Sequence, residues 1–100
     1  MSARQLAFDD FADKVEQIFV LNEQGVPAIP LTLAEAERLN TRAAKPGTHS
    51  PFSLIFTAKD PRVLPQRIYR IEHDQLGALE IFLVPIGKDA QGVSYQATFN

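Results

Sequence analysis

Apolar and polar residues alternate with a period of two through most of the second half of the chain, and this pattern predicts β-strands. Four segments carry it: residues 52–57, 67–73, 78–86 and 93–99. Residues 78–86 are apolar on both faces, so we expect a strand that is covered on both sides or that lines a barrel. Two prolines break residues 58–65, and Gly87 and Gly92 bound a predicted hairpin loop at 87–92.

The first half of the chain begins with a helical pattern. Phe8, Phe11 and Val15 share one helix face, and this spacing predicts a short helix near residues 9–15. The following segment is rich in β-forming residues, so we expect a strand near residues 17–23. Loop residues come next: Gly25, Pro27 and Pro30.

Residues 29–42 carry signals for both kinds of structure. Thr32 and Glu35 have the spacing of a capping box, and AEAERL has a helix-forming composition. Against this, Leu31 and Leu33 begin an alternation that is typical of a strand. The local signals favour a helix without excluding a strand. Residues 45–51, which hold two prolines and a glycine, predict a loop.

The predicted strands are joined by short connections of roughly four to eight residues, and such connections require antiparallel neighbours. A chain of 100 residues is one domain's length. We therefore expect a single, mainly β domain: a small antiparallel barrel or sandwich of five to seven strands with one short N-terminal helix.

Composition narrows the functional classes. The net charge of −2 gives no basic field for nucleic acid, and the absence of cysteine excludes disulfides and thiolate chemistry. No apolar run reaches the length of a membrane span, and acidic residues near the N-terminus replace the apolar core of a signal peptide. We expect a cytoplasmic protein, or one carried on an exported particle, with no membrane insertion and no nucleic-acid partner.

His73 is the strongest candidate for chemistry, because it lies between Glu72 and Asp74. It also ends a predicted strand, so we expect it to hydrogen-bond backbone amides of the turn that follows. The alternative is a metal ligand or general base together with His49, although no familiar ligand spacing supports it. The acidic trio near the N-terminus (Asp9, Asp10 and Asp13) suits the start of a helix. We predict no cofactor, no bound metal and no catalytic residue.

The densest basic group is Arg62, Arg67 and Arg70, which can bind an anion or a partner's carboxylate if the fold brings them together. A C-terminal strand at the edge of a sheet would be a site for adding a partner's strand. Candidate partner-binding residues are therefore Arg62, Arg67, Arg70, Tyr95 and Phe99.

Several motifs occur in a specific order: PFSLIF at 51–56, Leu64, Gln66 and Tyr69 in an L-x-Q-x-x-Y pattern, HDQLG at 73–77, IFLVPIG at 81–87 and YQATFN at 95–100. Together they resemble a small bacterial family of about this length, a domain of unknown function of the DUF6916 type. The resemblance implies no activity, and it implies an association with phage-tail-collar-like proteins for some members. It also implies an extended segment at 31–39, which changes our prediction there to a strand.

Three functional hypotheses follow. The first is a non-catalytic structural or interaction protein, an assembly or adaptor component that meets a protein partner or itself through sheet surfaces and is associated with phage-tail-like or fibre proteins. The second is a small-ligand-binding barrel with interior walls formed by Phe52, Phe56, Ile81 and Phe82. Five to seven strands leave little interior room for a ligand. The third, and least favoured, is a metal or hydrolytic enzyme that uses His73.

Overall fold

The computed structural model describes residues 6–25, 27–39 and 51–99. It is a closed, antiparallel six-stranded barrel with one short helix before it, which confirms the predicted fold class. The elements are α1 (Asp9–Ala12), β1 (Ile18–Leu21), β2 (Ile29–Arg38), β3 (Phe52–Ala58), β4 (Arg67–His73), β5 (Gly77–Asp89) and β6 (Gly92–Phe99).

The strands follow the order β1-β2-β3-β6-β5-β4 around the barrel. Strands β4, β5 and β6 form consecutive hairpins, and β6 returns to lie beside β3, which is a Greek-key arrangement. The barrel closes where β1 meets β4, along the ladder pairs Val20–Glu72 and Leu21–Ile71. The other five pairs of neighbouring strands have longer ladders.

The barrel interior is filled by apolar side chains that alternate along the strands, except at the bulges in β2 and β5. Among the described residues, 17 hydrophobic side chains are at most 3% exposed, and all of them belong to one cluster. Phe11 of α1 closes one end of this cluster, where its ring packs against Phe19, Phe52 and Phe99 at centroid distances of 5.9 to 6.2 Å. The helix is therefore the plug of the barrel.

A β-bulge in β2 explains why residues 29–42 did not show a clear strand pattern. The register shifts between Leu33 and Glu35, so Ala34 is the extra residue of a β-bulge. The bulge reverses the alternation: Leu31 and Leu33 face the core, whereas Glu35 and Glu37 face outward. Strict alternation would have buried both carboxylates. The strand prediction at residues 31–39 is confirmed.

Three local predictions need correction. The helix ends at Ala12 rather than residue 15, because the chain turns and Glu16 has a left-handed φ of 74°. Pro30, expected in a loop, lies in β2 ahead of Thr32, where the β3 ladder begins, so it has a strand neighbour on one side only. Strand β5 continues to Asp89 through a bulge after Pro85, so the predicted loop at 87–92 is a tight turn.

Strand β6 is not the edge strand that the sequence suggested. It pairs with β3 along residues 93–99 and with β5 along residues 92–96. Residues 93–96 have ladder neighbours on both sides, whereas Gly92 and the last three residues have one, so addition of a partner's strand along the whole of β6 is excluded. The predicted loop at 45–51 and His49 lie outside the described residues, apart from Pro51. No helix in the described ranges is long and apolar enough to cross a membrane.

Candidate functional site

His73 lies at the end of β4 and faces the core, with 8% of its surface exposed. Its Nδ1 accepts hydrogen bonds from the backbone amides of Gln75 (3.1 Å) and Leu76 (3.3 Å). The prediction that His73 anchors the turn is confirmed. Its ring also packs on Phe19 at a centroid distance of 4.4 Å, and its Nε2 lies 2.7 Å from Oε1 of Gln17.

These contacts assign the protonation state of the imidazole. Because Nδ1 accepts two amide hydrogens, the ring proton is on Nε2 and is donated to Gln17. Burial lowers the pKa of His73 below its ordinary value, and the nearby ammonium of Lys14 lowers it further, whereas Asp74 and Asp13 act in the opposite direction. His73 is therefore a neutral residue with both nitrogens engaged.

The polar side chains near His73 already have hydrogen-bond or ion-pair partners. Lys14 is largely buried, and its Nζ lies 2.8 Å from Oδ1 of the exposed Asp13. Across the described ranges, no group of three or more metal-ligating side chains is placed to hold an ion. His49, the second histidine of the metal hypothesis, is outside those ranges. The local geometry supports a structural role for His73.

The three arginines are close in sequence, but each contacts a different side chain. Arg62 forms a two-point ion pair with Asp60 (2.9 and 2.6 Å), which lowers the pKa of that carboxyl to about 2. The guanidinium carbon of Arg67 lies 4.9 Å from the ring centroid of Tyr69. Arg70 faces outward beside Glu72 at 3.2 Å. Each guanidinium thus has its own neighbour.

Tyr95 and Phe99 pack inside the barrel or at its end. Tyr95 is 1% exposed, and its hydroxyl joins the backbone of Arg62 and Leu64 at 3.3 and 3.1 Å, so its side chain has almost no surface to offer a partner. Phe99 is half-buried and stacks on Phe52 at 4.6 Å. Both residues therefore serve packing, and Tyr95 also holds the loop between β3 and β4.

The proposed interior ligand site is occupied by the core itself. Phe52, Phe56 and Ile81 are at most 2% exposed and pack within the single apolar cluster. Phe82, the fourth expected wall, points the other way and is 45% exposed. Of the two alternatives for residues 78–86, the strand that lines a barrel is confirmed, and the strand covered on both sides is not, because the outer face of β5 is exposed at Phe82.

The outer face of β4 and β5 presents the most unusual surface in the described part of the chain. Ile68 and Phe82 are direct cross-strand partners, and they are 58% and 45% exposed. The next outward pair along the same two strands is Arg70 and Glu80. We call these four residues the β4–β5 face. Single exposed apolar residues are ordinary, but two large ones directly opposed form a continuous patch.

A separate groove with a volume of about 690 Å³ is lined by residues of β1, β2, β3, β5 and β6 and of the loops beside them. Its floor contains three hydroxyl-bearing residues that are successive cross-strand partners: Thr32, Thr57 and Ser94. Ile18 and Pro30 form an apolar end, and charged groups of the adjoining loops form the rim. The volume is within the usual range for small-molecule sites.

Sequence reasoning missed both surfaces. One signal was present for the β4–β5 face: the period of two in β4 puts Ile68 on the same side as Arg70 and Glu72, an apolar residue on a polar face. No such signal existed for Phe82, because β5 is apolar in both phases. The hydroxyl row depends on the registers of three strands that are distant in sequence.

A family model described as "Domain of unknown function (DUF6916)" matches residues 6–99. No curated protein and no solved structure matches the chain.

Proposed function

Because the chain belongs to the DUF6916 family, whose description carries no activity, we propose from its geometry that it is a non-catalytic interaction protein that binds a protein partner through the β4–β5 face. One observation carries the proposal: Ile68 and Phe82 lie directly opposite each other on the outside of the barrel, and each is about half exposed. In this proposal the chain is a structural or adaptor component, and side chains rather than free backbone edges make the contact.

The size of the apolar pair supports a docking role. A Phe side chain buries about 150–250 Å² when fully covered, so covering the exposed half removes roughly 100 Å² from water. At about 25 cal/mol per Å², Ile68 and Phe82 would each stabilise a complex by around 2 kcal/mol. A large apolar pair with a charged pair beside it resembles the anatomy of a binding hot spot.

The remaining features agree with an adaptor. His73, the strongest candidate for chemistry in the sequence, is neutral and hydrogen-bonded at both ring nitrogens, so it has a structural role. Closure of the barrel protects its strand edges and leaves its outer surface for contacts. The association with phage-tail-like or fibre proteins stays a prediction, and the identity of a purified partner would test it.

The experiment measures the affinity of one purified partner for the wild-type chain and for matched variants. A protein captured by the wild-type chain from its own cells would be purified, and its affinity measured by calorimetry for wild type, Ile68→Ser/Phe82→Ser and Val63→Ser. Val63 is 50% exposed in the loop before β4, so it controls for loss of an exposed apolar side chain. We expect at least a tenfold loss for the double variant and little change for the control. Equal affinity for all three, with unchanged melting temperatures, would refute the proposal.

A small-ligand binder is the second candidate, and the outer groove is the observation that favours it. Thr32, Thr57 and Ser94 can each donate and accept hydrogen bonds, which suits a neutral ligand rich in hydroxyl groups. Titration of the isotope-labelled protein with neutral oligosaccharides should shift the amide NMR signals of Thr32, Thr57 and Ser94. Thr57→Val should remove these shifts. The control Thr98→Val, on β6 outside the groove, should keep them. If the amide shifts persist unchanged in Thr57→Val, the groove is not the binding site.

A further inference from the structure

We propose that the occupant of the β4–β5 face is a second copy of this chain, related by a two-fold axis that runs parallel to the two strands. This inference rests on the proposed function of that face and names its partner. It starts from the pairing register, in which Ile68 lies opposite Phe82 and Arg70 lies opposite Glu80.

A rotation of 180° about this axis leaves the height of each residue along the strands unchanged, and it reverses the left-to-right order of β4 and β5. Strand β4 of one copy then lies over β5 of the other, so each residue meets its partner's cross-strand neighbour. Ile68 of one copy faces Phe82 of the other, and Arg70 of one copy faces Glu80 of the other. Both contacts occur twice, as an isologous interface requires.

The charges of the face make it complementary to itself. Arg70 carries a positive charge and is 57% exposed, and its one ion-pair partner in the described ranges is the neighbouring Glu72. Glu80 is exposed and has no ion-pair partner within those ranges. A guanidinium has five donors, so Arg70 can keep Glu72 and also bind the second copy's Glu80. A partner with a single sign of charge along this row would meet one favourable and one unfavourable group.

The geometry of packing is also suitable. Two antiparallel sheets pack face to face with their strands nearly aligned and about 10 Å apart, and their side chains interdigitate. The exposed Ile and Phe side chains supply the apolar layer between the sheets, and the Arg–Glu row lies one pair of residues further along, at its rim.

The size of the face sets the strength of the dimer. Two strands at about 4.8 Å spacing and seven residues at about 3.3 Å per residue span roughly 10 by 23 Å. That is well below the roughly 800 Å² per partner of a stable complex. We therefore expect a weak, reversible dimer with a Kd of about 10 µM to 1 mM rather than a permanent one.

Sedimentation equilibrium from about 10 µM to 2 mM tests the inference. The wild-type mass should rise from that of the monomer towards twice that value. Arg70→Glu and Glu80→Arg, each alone, should weaken self-association at least tenfold, because each places like charges together twice per dimer. Lys88→Glu reverses a charge elsewhere on β5 and is the control; it should leave the Kd within about threefold of wild type.

The decisive arm mixes the two charge variants. The Arg70→Glu copy presents two carboxylates and the Glu80→Arg copy presents two cations, so an equimolar mixture should form a heterodimer with a Kd within about fivefold of wild type. Circular dichroism and melting curves verify that each variant is folded. A mixture that stays monomeric while the wild type dimerises would overturn the two-fold arrangement.

A wild type that is monomeric at every concentration would overturn the inference altogether. It would leave the proposed function standing if Ile68→Ser/Phe82→Ser still loses the purified partner. If that double variant also keeps the partner's affinity, both fail.

Discussion

The stability of this protein should depend on the titration of His73. The ring is buried, neutral and hydrogen-bonded at both nitrogens. A proton added to Nδ1 would displace two backbone amide hydrogens and place a cation near the ammonium of Lys14. The folded state therefore holds the pKa of His73 below its ordinary value, mainly because burial disfavours the charged ring.

The sign follows from which state binds the proton. In the unfolded chain a histidine titrates near pH 6.5. As the pH falls below that value, the unfolded state takes up a proton and the folded state does not, so the free energy of unfolding decreases. The contribution of neutral His73 to the free energy of unfolding is fully present above about pH 7. As the pH falls, it decreases by up to about 1.4 kcal/mol per pH unit, and it stops decreasing below the pKa of His73 in the folded state. The carboxyl groups of Asp13, Asp60 and Glu72, whose pKa values are lowered, lose their contribution at lower pH, near and below their ordinary values.

Urea unfolding between about pH 5 and 7.5 measures this slope. His73→Asn is the informative variant, because its amide oxygen can accept hydrogen bonds from the turn while the side chain does not titrate. We expect the wild type to lose stability as the pH falls, and His73→Asn to show a nearly flat profile. His49→Asn, which removes the other histidine, should keep the wild-type slope. His73→Ala at pH 7.5 should cost about 2–3 kcal/mol, since it removes two turn hydrogen bonds and the packing on Phe19.

Two results would refute this reasoning. A wild-type profile that is flat from pH 7 to 5.5, or that rises as the pH falls, would mean that His73 binds protons equally well or better in the folded state. A full slope retained in His73→Asn would assign the titration to another group.

Two further predictions concern the contacts that hold the strands and their connecting loops in place. A Cβ at Gly92, where φ is 140°, would lie 1.8 Å from the carbonyl oxygen of Ala58, so Gly92→Ala should destabilise the barrel by more than about 3 kcal/mol in chemical unfolding, whereas Gly77→Ala, with open space but a φ of 77°, should cost about 1 kcal/mol. Similar losses for both would show that close approach to β3 does not matter. Tyr95→Phe removes the hydroxyl that accepts the amide hydrogen of Leu64 and should cost about 1–2 kcal/mol, with faster amide exchange in the loop between β3 and β4; unchanged exchange there would contradict the anchoring role.

The sequence predicted the barrel well because most strands alternate in the simplest way. Strands β3, β4 and β6 have one apolar face each, and the short connections from β4 to β5 and from β5 to β6 require antiparallel pairing there. The same expectation is wrong for β3 and β4, which a short loop joins but which are not neighbours in the barrel. The role of His73 was predictable for the same reason, since a strand end followed by turn residues offers amides to a nearby imidazole.

The errors occur where the backbone leaves the regular pleat. The bulge at Ala34 and the bulge after Pro85 each add a residue, and a pattern with a fixed period of two cannot represent them. The β4–β5 face was missed for a different reason. Phe82 belongs to a run that is apolar in both phases, so only the three-dimensional register shows which of its residues point outward.

The seam between β1 and β4 joins positions that are far apart along the chain. Leu21 pairs with Ile71, whereas the hairpins of β4, β5 and β6 join near neighbours. Because long loops are entropically costly to close, we expect the hairpin half to assemble early and the cylinder to shut late along this line. The same line should then be the first to part under heat or load, which makes it the natural place for a swapped or partly opened form to arise.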